Sequence, residues 1–153
     1  MVLIGLVISF ICCGIDLVFK AQIENGRIKE REFKKVPLKI RRMHNSGFLM
    51  NTLDEKPGLV QKMSLVITIL LGFYQIFLLN SKKCIAAKVS GAIMLGGALS
   101  NLYDRIVRGY VVDYVSIKTK WEKVARIVFN VADVCIFLGG IGLVLFNSQA
   151  KEK

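Results

Sequence analysis

The stretch MSLVITILLGFYQIFLLNS, residues 63–81, passes from Met63 to Ser81 without one charged side chain. A helix that crosses a bilayer needs about 20 mostly apolar residues, and this run has that length. Three other runs resemble it. Met1 to about Phe19 holds only Asp16, Cys84 to about Tyr103 only Lys88, and Ile127 to Ala150 only Asp133. Lys88 stands close enough to the start of its run for its ammonium to reach the interface. Four such runs in 153 residues leave too little polar surface to cover them in water. The fold class expected is an all-α membrane protein of four transmembrane helices, spanning about 1–19, 63–81, 84–103 and 127–150. Residues 1–153 form one integral-membrane domain on this reading.

Composition agrees once its distribution is considered. The chain is 54% hydrophobic, with a mean hydropathy of +0.51 and a net charge of +11 from 22 Lys and Arg against 11 Asp and Glu. Charge-free and basic stretches alternate, which excludes a disordered chain of uniformly low hydrophobicity. With 13 Gly, 2 Pro and 4 Cys, collagen-like and disulfide-stapled classes are excluded too. Cys12, Cys13, Cys84 and Cys135 lie in or at the ends of apolar runs and read as small packing residues. The first run lacks a basic leader and a small-residue cleavage site, so it is expected to be a retained helix rather than a secretory signal.

The connections are unequal. Lys82-Lys83 makes a tight antiparallel hairpin of the second and third runs, whereas Lys20–Lys62 and Asp104–Arg126 are long. The first long connection alternates charged and apolar residues around Val36-Pro37-Leu38-Lys39-Ile40, which suits short strands. In the second, Tyr110-Val111-Val112-Asp113-Tyr114-Val115-Ser116-Ile117 is β-branched and aromatic and reads as a strand. The two together are expected to form a small β-rich region outside the membrane, shielded by protein because bare backbone cannot face lipid.

Parity then places the polar groups. With four spans, the end of the first, the start of the second, the end of the third and the start of the fourth share one side. Asp16, Lys20, Asn101, Asp104, Arg105, Asn130 and Asp133 stand at those ends. His44, Asn45 and Asp113 lie on the connections that emerge there. Asp133, six residues into its run, would lie roughly 9 Å deep. Ionisable groups at such depth face a bundle interior or a wet cavity, here with Arg105 or Lys20 as possible partners in a purely structural role. Asp16 and Lys20, four apart, form a favourable helical ion pair, read as an anchor of the site's wall.

This inventory limits the chemistry. One histidine, His44, makes a Ser-His-Asp triad depend on a single loop residue, and H-E-x-x-H is absent. Cysteine spacing suggests no metal site, and basic loops beside apolar spans favour anionic lipid head groups over nucleic acid. Carboxylates remain. A close aspartate pair shares a proton, so that one member acts as base on water while the other polarises a carbonyl. Asp104, Asp113 and Asp133 are the candidates, and composition does not choose between them.

Asn101-Leu102-Tyr103-Asp104-Arg105, Gly109-Tyr110-Val111-Val112-Asp113-Tyr114 and Phe129-Asn130-Val131-Ala132-Asp133 resemble the N-x-x-D-R, G-x-V-V-D-[FY] and F-N-x-A-D motifs of bacterial lipoprotein signal peptidase, the signal peptidase II family. Asp16-x-x-x-Lys20, Asn45-Ser46-Gly47 and Gly96-Gly97-Ala98 resemble further motifs of the family, in order along essentially the whole chain. The resemblance implies that Asp113 and Asp133 are the catalytic pair. Asn101, Asp104, Arg105 and Asn130 would shape the site, Asn45 and Arg105 would hold the substrate's peptide or lipid, and Asp16 and Lys20 would support it. It also implies no metal or organic cofactor. The chain departs from the family at Leu17 (usually Gln), at the loop tip Phe48-Leu49-Met50-Asn51, at Ser100 (often Gly), at Val134 (often Ser) and in a longer Trp121–Phe129 stretch.

The function implied is an intramembrane aspartyl endopeptidase that removes signal peptides from diacylglyceryl-modified prolipoproteins by cutting before the lipidated cysteine. Its partners would be those precursors and membrane lipids, as a monomer in the bacterial cytoplasmic membrane with the site towards the outer face. The alternative is a non-catalytic four-helix scaffold or a proton-coupled transporter. Most of the 22 Lys and Arg lie on the two long connections. The positive-inside rule would put those connections in the cytoplasm, opposite to the family's arrangement.

Overall fold

The computed structural model describes residues 2–48 and 52–148. The loop tip Leu49-Met50-Asn51, the Lys151-Glu152-Lys153 tail, Met1 and Ala150 lie outside the described residues. The element order is α1 (Val2–Glu24), β1 (Arg31–Glu32), β2 (Leu38–Asn45), α2 (Pro57–Asn80), α3 (Ile85–Val107), β3 (Val111–Ile117), α4 (Glu122–Ala125), β4 (Val128–Phe129) and α5 (Val131–Ser148).

Among the described residues, three helices, α1, α2 and α3, are long and apolar enough to cross a membrane, and the apolar part of α5 is shorter, Val131–Phe146. The run expected to be a fourth span from Ile127 thus begins differently. Val128 and Phe129 pair as a strand with Ser116 and Val115, and the helix starts only at Val131. Asp133 therefore sits in the first turn of α5 rather than six residues along a helix. The other helices are longer than their apolar runs. α1 continues to Glu24, and α2 begins at Pro57, a residue whose missing N–H costs nothing at a helix start.

α3 is the spine, packing on α1, α2 and α5. Gly96 and Gly97 make this close approach possible on two sides. A Cβ at Gly96 would lie 2.6 Å from the Ser9 carbonyl oxygen, and one at Gly97 would collide with that of Ala132. The outward sides carry Phe10, Phe73, Phe77, Phe137 and Val144, all more than 60% exposed. In a bilayer such a surface meets lipid, while backbone polar groups are satisfied inside the helices.

The sheet has the order β1-β2-β3-β4 with every pair antiparallel. It caps the end of the bundle where α1 and α3 finish and α5 starts, with Ile23, Val112 and Tyr114 packed beneath it. An irregularity between Ile40 and Met43 shifts the β2–β3 register and sets Met43 opposite Asp113. Asn45, two residues on from Met43, shares its face and becomes the diagonal neighbour of Asp113.

Candidate active site

The start of α5 builds half of the site through ordinary helix capping. Asn130 precedes the helix, and its Oδ1 accepts the Asp133 backbone N–H at 2.8 Å. In return, Asp133 Oδ2 accepts the Asn130 backbone N–H at 3.1 Å. This is a capping box with aspartate in the place of glutamate. The spacing of three between Asn130 and Asp133 fixes a carboxylate at a helix end, where the macrodipole favours negative charge.

The second carboxylate arrives from β3. Asn130 Nδ2 donates to Asp113 Oδ1 at 2.7 Å, and Asn45 Nδ2 donates to Asp113 Oδ2 at 3.0 Å. Asn45 is itself braced, accepting the Gly47 N–H at 3.0 Å. Asn101, from α3, donates to Asp133 Oδ1 at 2.9 Å. One asparagine, Asn130, therefore touches both aspartates, with a further amide holding each from outside. Asp113 is 2% exposed. Burial, and then the charge of Asp133, push its carboxyl up to about 7, against the opposing effect of its two amide donors.

Asp104, the third candidate, is placed elsewhere. It is fully buried and accepts from Arg108 Nη1 at 2.5 Å and from the Val112 backbone N–H at 3.1 Å, with Lys20 Nζ at 3.2 Å. Its oxygens are engaged in tying the end of α3 to β3. Asp16 and Lys20 form the expected ion pair at 2.7 Å, both with fully buried side chains. Lys20 does not pair with Asp133; its ammonium reaches Ser100 Oγ at 3.2 Å and Asn101 Oδ1 at 2.8 Å. Two carboxylates, Asp16 and Asp104, balance Lys20 and Arg108 behind the pair. A buried charge held without such partners is costly.

Three contributors went unread as site residues in the sequence. Ser100 donates to Asp16 Oδ2 at 2.6 Å. Tyr114 donates its phenol hydrogen to Asp16 Oδ1 at 2.9 Å and accepts the Val131 N–H, in the first turn of α5, at 3.2 Å. Burial, then the Asp16 carboxylate, hold that phenol above its ordinary range, so it stays a donor. Arg108 stands four residues after Asp104, a spacing that announces the pair. The two hydroxyls had no comparable signal beyond lying beside Asn101 and Asp113. His44 points the other way, contacting Glu24 at 2.6 Å and stacking on Tyr110 at 4.1 Å.

Arg105 turns towards the cavity. Its Nη2 donates to the Gly47 carbonyl at 2.9 Å, and its guanidinium lies 5.5 Å from the centre of the Phe48 ring. The cavity is about 390 Å³, walled by α2, α3, β3 and α5, and both Asp113 and Asp133 line it. Its remaining lining is largely apolar, from Ile67, Leu102, Val111, Ile136 and Phe137 among others. Among the described residues, no group of three or more His, Cys, Asp or Glu is placed to hold a metal ion. The arrangement offers two carboxyl groups on a shared amide at the end of an apolar chamber.

Residues 8–148 match the family model Peptidase_A8, described as Signal peptidase (SPase) II. A lipoprotein signal peptidase of Wigglesworthia glossinidia brevipalpis is 30% identical over 113 residues, 73% of this chain and 71% of that protein. One from Buchnera aphidicola subsp. Schizaphis graminum is 31% identical over 143 residues, 92% of this chain and 90% of that protein. A solved bacterial membrane enzyme superposes with a TM-score of 0.78 at 22% identity, covering 97% of this chain and 91% of the other, which shows a common fold. The chain belongs to the signal peptidase II family.

Proposed function

We propose that this protein is the aspartic endopeptidase that removes signal peptides from prolipoproteins, with Asp113 and Asp133 as its catalytic pair. The observation that carries the assignment is Asn130, which donates to Asp113 at 2.7 Å and exchanges two hydrogen bonds with Asp133 while both line one cavity. The Asp113 carboxyl is raised to about 7 by burial and by the Asp133 charge, so we assign the pair's shared proton to Asp113. Asp113 donates to the scissile carbonyl oxygen as Asp133 takes a proton from the attacking water. The tetrahedral intermediate collapses when Asp133 passes that proton to the leaving amine and the intermediate's hydroxyl returns one to Asp113, so the peptide bond breaks before the lipidated cysteine and the pair is restored. No cofactor has a part in this scheme.

The same reading makes residues 1–153 one peptidase unit with α5 as a fourth span, working as a monomer in the cytoplasmic membrane. At 18 residues, α5 is about 27 Å long, close to the thickness of a hydrocarbon core of about 30 Å. The sheet and the pair face outward, where lipidated precursors are cut, and the basic collar of the two connections meets anionic head groups. Asn45 and Arg105 hold the substrate, and Asn101, Asp104, Asp16 and Lys20 support the pair. The test is precursor processing in cells lacking their own enzyme, with Asp113→Asn and Asp133→Asn as variants. Both are expected to abolish cleavage, and undiminished cleavage in either overturns the pair. Reporter fusions at Lys82-Lys83 and in the first long connection test the orientation.

A further inference from the structure

Hydroxyls inside apolar helices ordinarily return their hydrogen bond to the carbonyl four residues back. Ser9 does so to Gly5 at 3.1 Å, Thr68 to Ser64 at 2.8 Å and Ser90 to Ala86 at 2.8 Å. Ser64 does not. The residue is 8% exposed, and its Oγ is buried with no hydrogen-bond partner among the described residues. Arg105 Nε is buried and unpartnered in the same way. Both residues line the cavity that holds Asp113 and Asp133. Buried polar groups are rarely left unmet, because the lost solvation is not recovered. Here two residues that each carry an unmet donor line one chamber, Ser64 from α2 and Arg105 from α3.

Arg105 Nε can only donate, so the complementary group on an occupant is an acceptor. A lipidated precursor carries such acceptors in two places, the ester carbonyls of its diacylglyceryl group and the peptide carbonyls before the cysteine. A carbonyl drawn out of a helix into an apolar cavity needs a donor supplied by protein. We propose that Ser64 is a substrate-binding residue, donating its hydroxyl hydrogen bond to a carbonyl oxygen of the lipidated precursor. This rests on the peptidase reading and extends it to α2, a helix that supplies neither carboxylate.

The experiment compares purified full-length protein with its Ser64→Ala and Ser64→Thr variants on a synthetic diacylglyceryl lipopeptide and on its diether analogue. Ser64→Ala is expected to raise KM about five- to tenfold with kcat within about twofold, the loss of one hydrogen bond to substrate. Its thermal midpoint should not fall, because an unmet group has been removed. Ser64→Thr, which keeps the hydroxyl, should restore KM. If the Ala effect disappears with the diether, the acceptor is the ester; if it persists, the acceptor is a peptide carbonyl. An unchanged KM, as expected if the hydroxyl meets only water, overturns the proposal, and so does a lowered midpoint with a parallel loss of kcat. Wild-type protein that cuts no lipidated precursor overturns the peptidase reading instead. Binding of the same lipopeptide to wild type and Ser64→Ala then still decides the role of Ser64.

Discussion

Lys20 Nζ donates to Asn101 Oδ1 at 2.8 Å and, with Asn130 Nδ2 donating to the same oxygen at 3.2 Å, determines which end of that amide meets Asp133. An ammonium has no acceptor, so the amide oxygen must face Lys20, and Nδ2 is left to donate to Asp133 Oδ1 at 2.9 Å. A charge outside the residues lining the cavity thus helps set the polarity of a group that touches the carboxylate.

Lys20→Met keeps the bulk and deletes the charge. It leaves the buried Asp16 and Asp104 without the ammonium they share, and the Asn101 amide oxygen with Asn130 Nδ2 as its remaining donor. Removing one partner of a buried ion pair typically costs about 3–5 kcal/mol. The expected outcome is a large drop in thermal midpoint in detergent together with loss of precursor processing.

Tyr114→Phe tests the link between β3 and α5. The variant loses the donor to Asp16 and leaves the Val131 N–H without its acceptor, for a cost of about 1–3 kcal/mol. Ser100 and Lys20 still hold Asp16, so the fold should survive. Unfolding midpoints and kcat read together should show a modest loss of both.

Asp113 makes stability depend on pH with a definite sign. Its folded value, about 7, lies above the ordinary 3.8, so across that interval the native state holds a proton that the unfolded chain has released. Stability from this group therefore falls as pH rises through the interval. Asp113→Asn should flatten the stability profile there, measured by denaturation at pH steps. Activity of the wild type should fall as pH rises above about 7, when the pair loses its shared proton.

Gly97→Ala should disrupt the α3–α5 contact, since the added methyl meets the Ala132 carbonyl and the Ile136 and Cys135 side chains. Overpacking typically costs about 1–3 kcal/mol. The shift also displaces Asp133, one residue after Ala132, so activity should fall further than stability. By contrast, Gly140→Ala, where a Cβ meets nothing within 4 Å, should leave both unchanged.

Much of this was readable from residue order. Three helices, the β3 strand and the Asp16–Lys20 pair follow from runs without charge, β-branched content and a spacing of four. The convergence of polar groups on one end follows from span parity alone. The start of α5 did not, because Ile127-Val128-Phe129 is an apolar run too short to distinguish strand from helix. Only pairing with Val115 and Ser116 settles it. Nor could composition separate Asp104 from Asp113 and Asp133. Asp104 is occupied by Lys20, 84 positions away in sequence, and by a backbone N–H that exists only once β3 has folded back. Ser64 is invisible in sequence for a similar reason, since what marks it is a bond it does not make.

The division of labour around α3 has a consequence for exchange between relatives. Both carboxylates and the amides that hold them belong to β2, β3, α3, α5 and Asn130 just before α5, whereas α2 contributes Ser64, Ile67 and Thr68 to the chamber and nothing to the pair. On the proposed roles, α2 bears on what enters the chamber without bearing on the pair, whereas β2 and α3 serve both. Exchanging α2 for that of a relative is therefore expected to alter which precursors are accepted while Asp113, Asp133 and the amides on them stay in place.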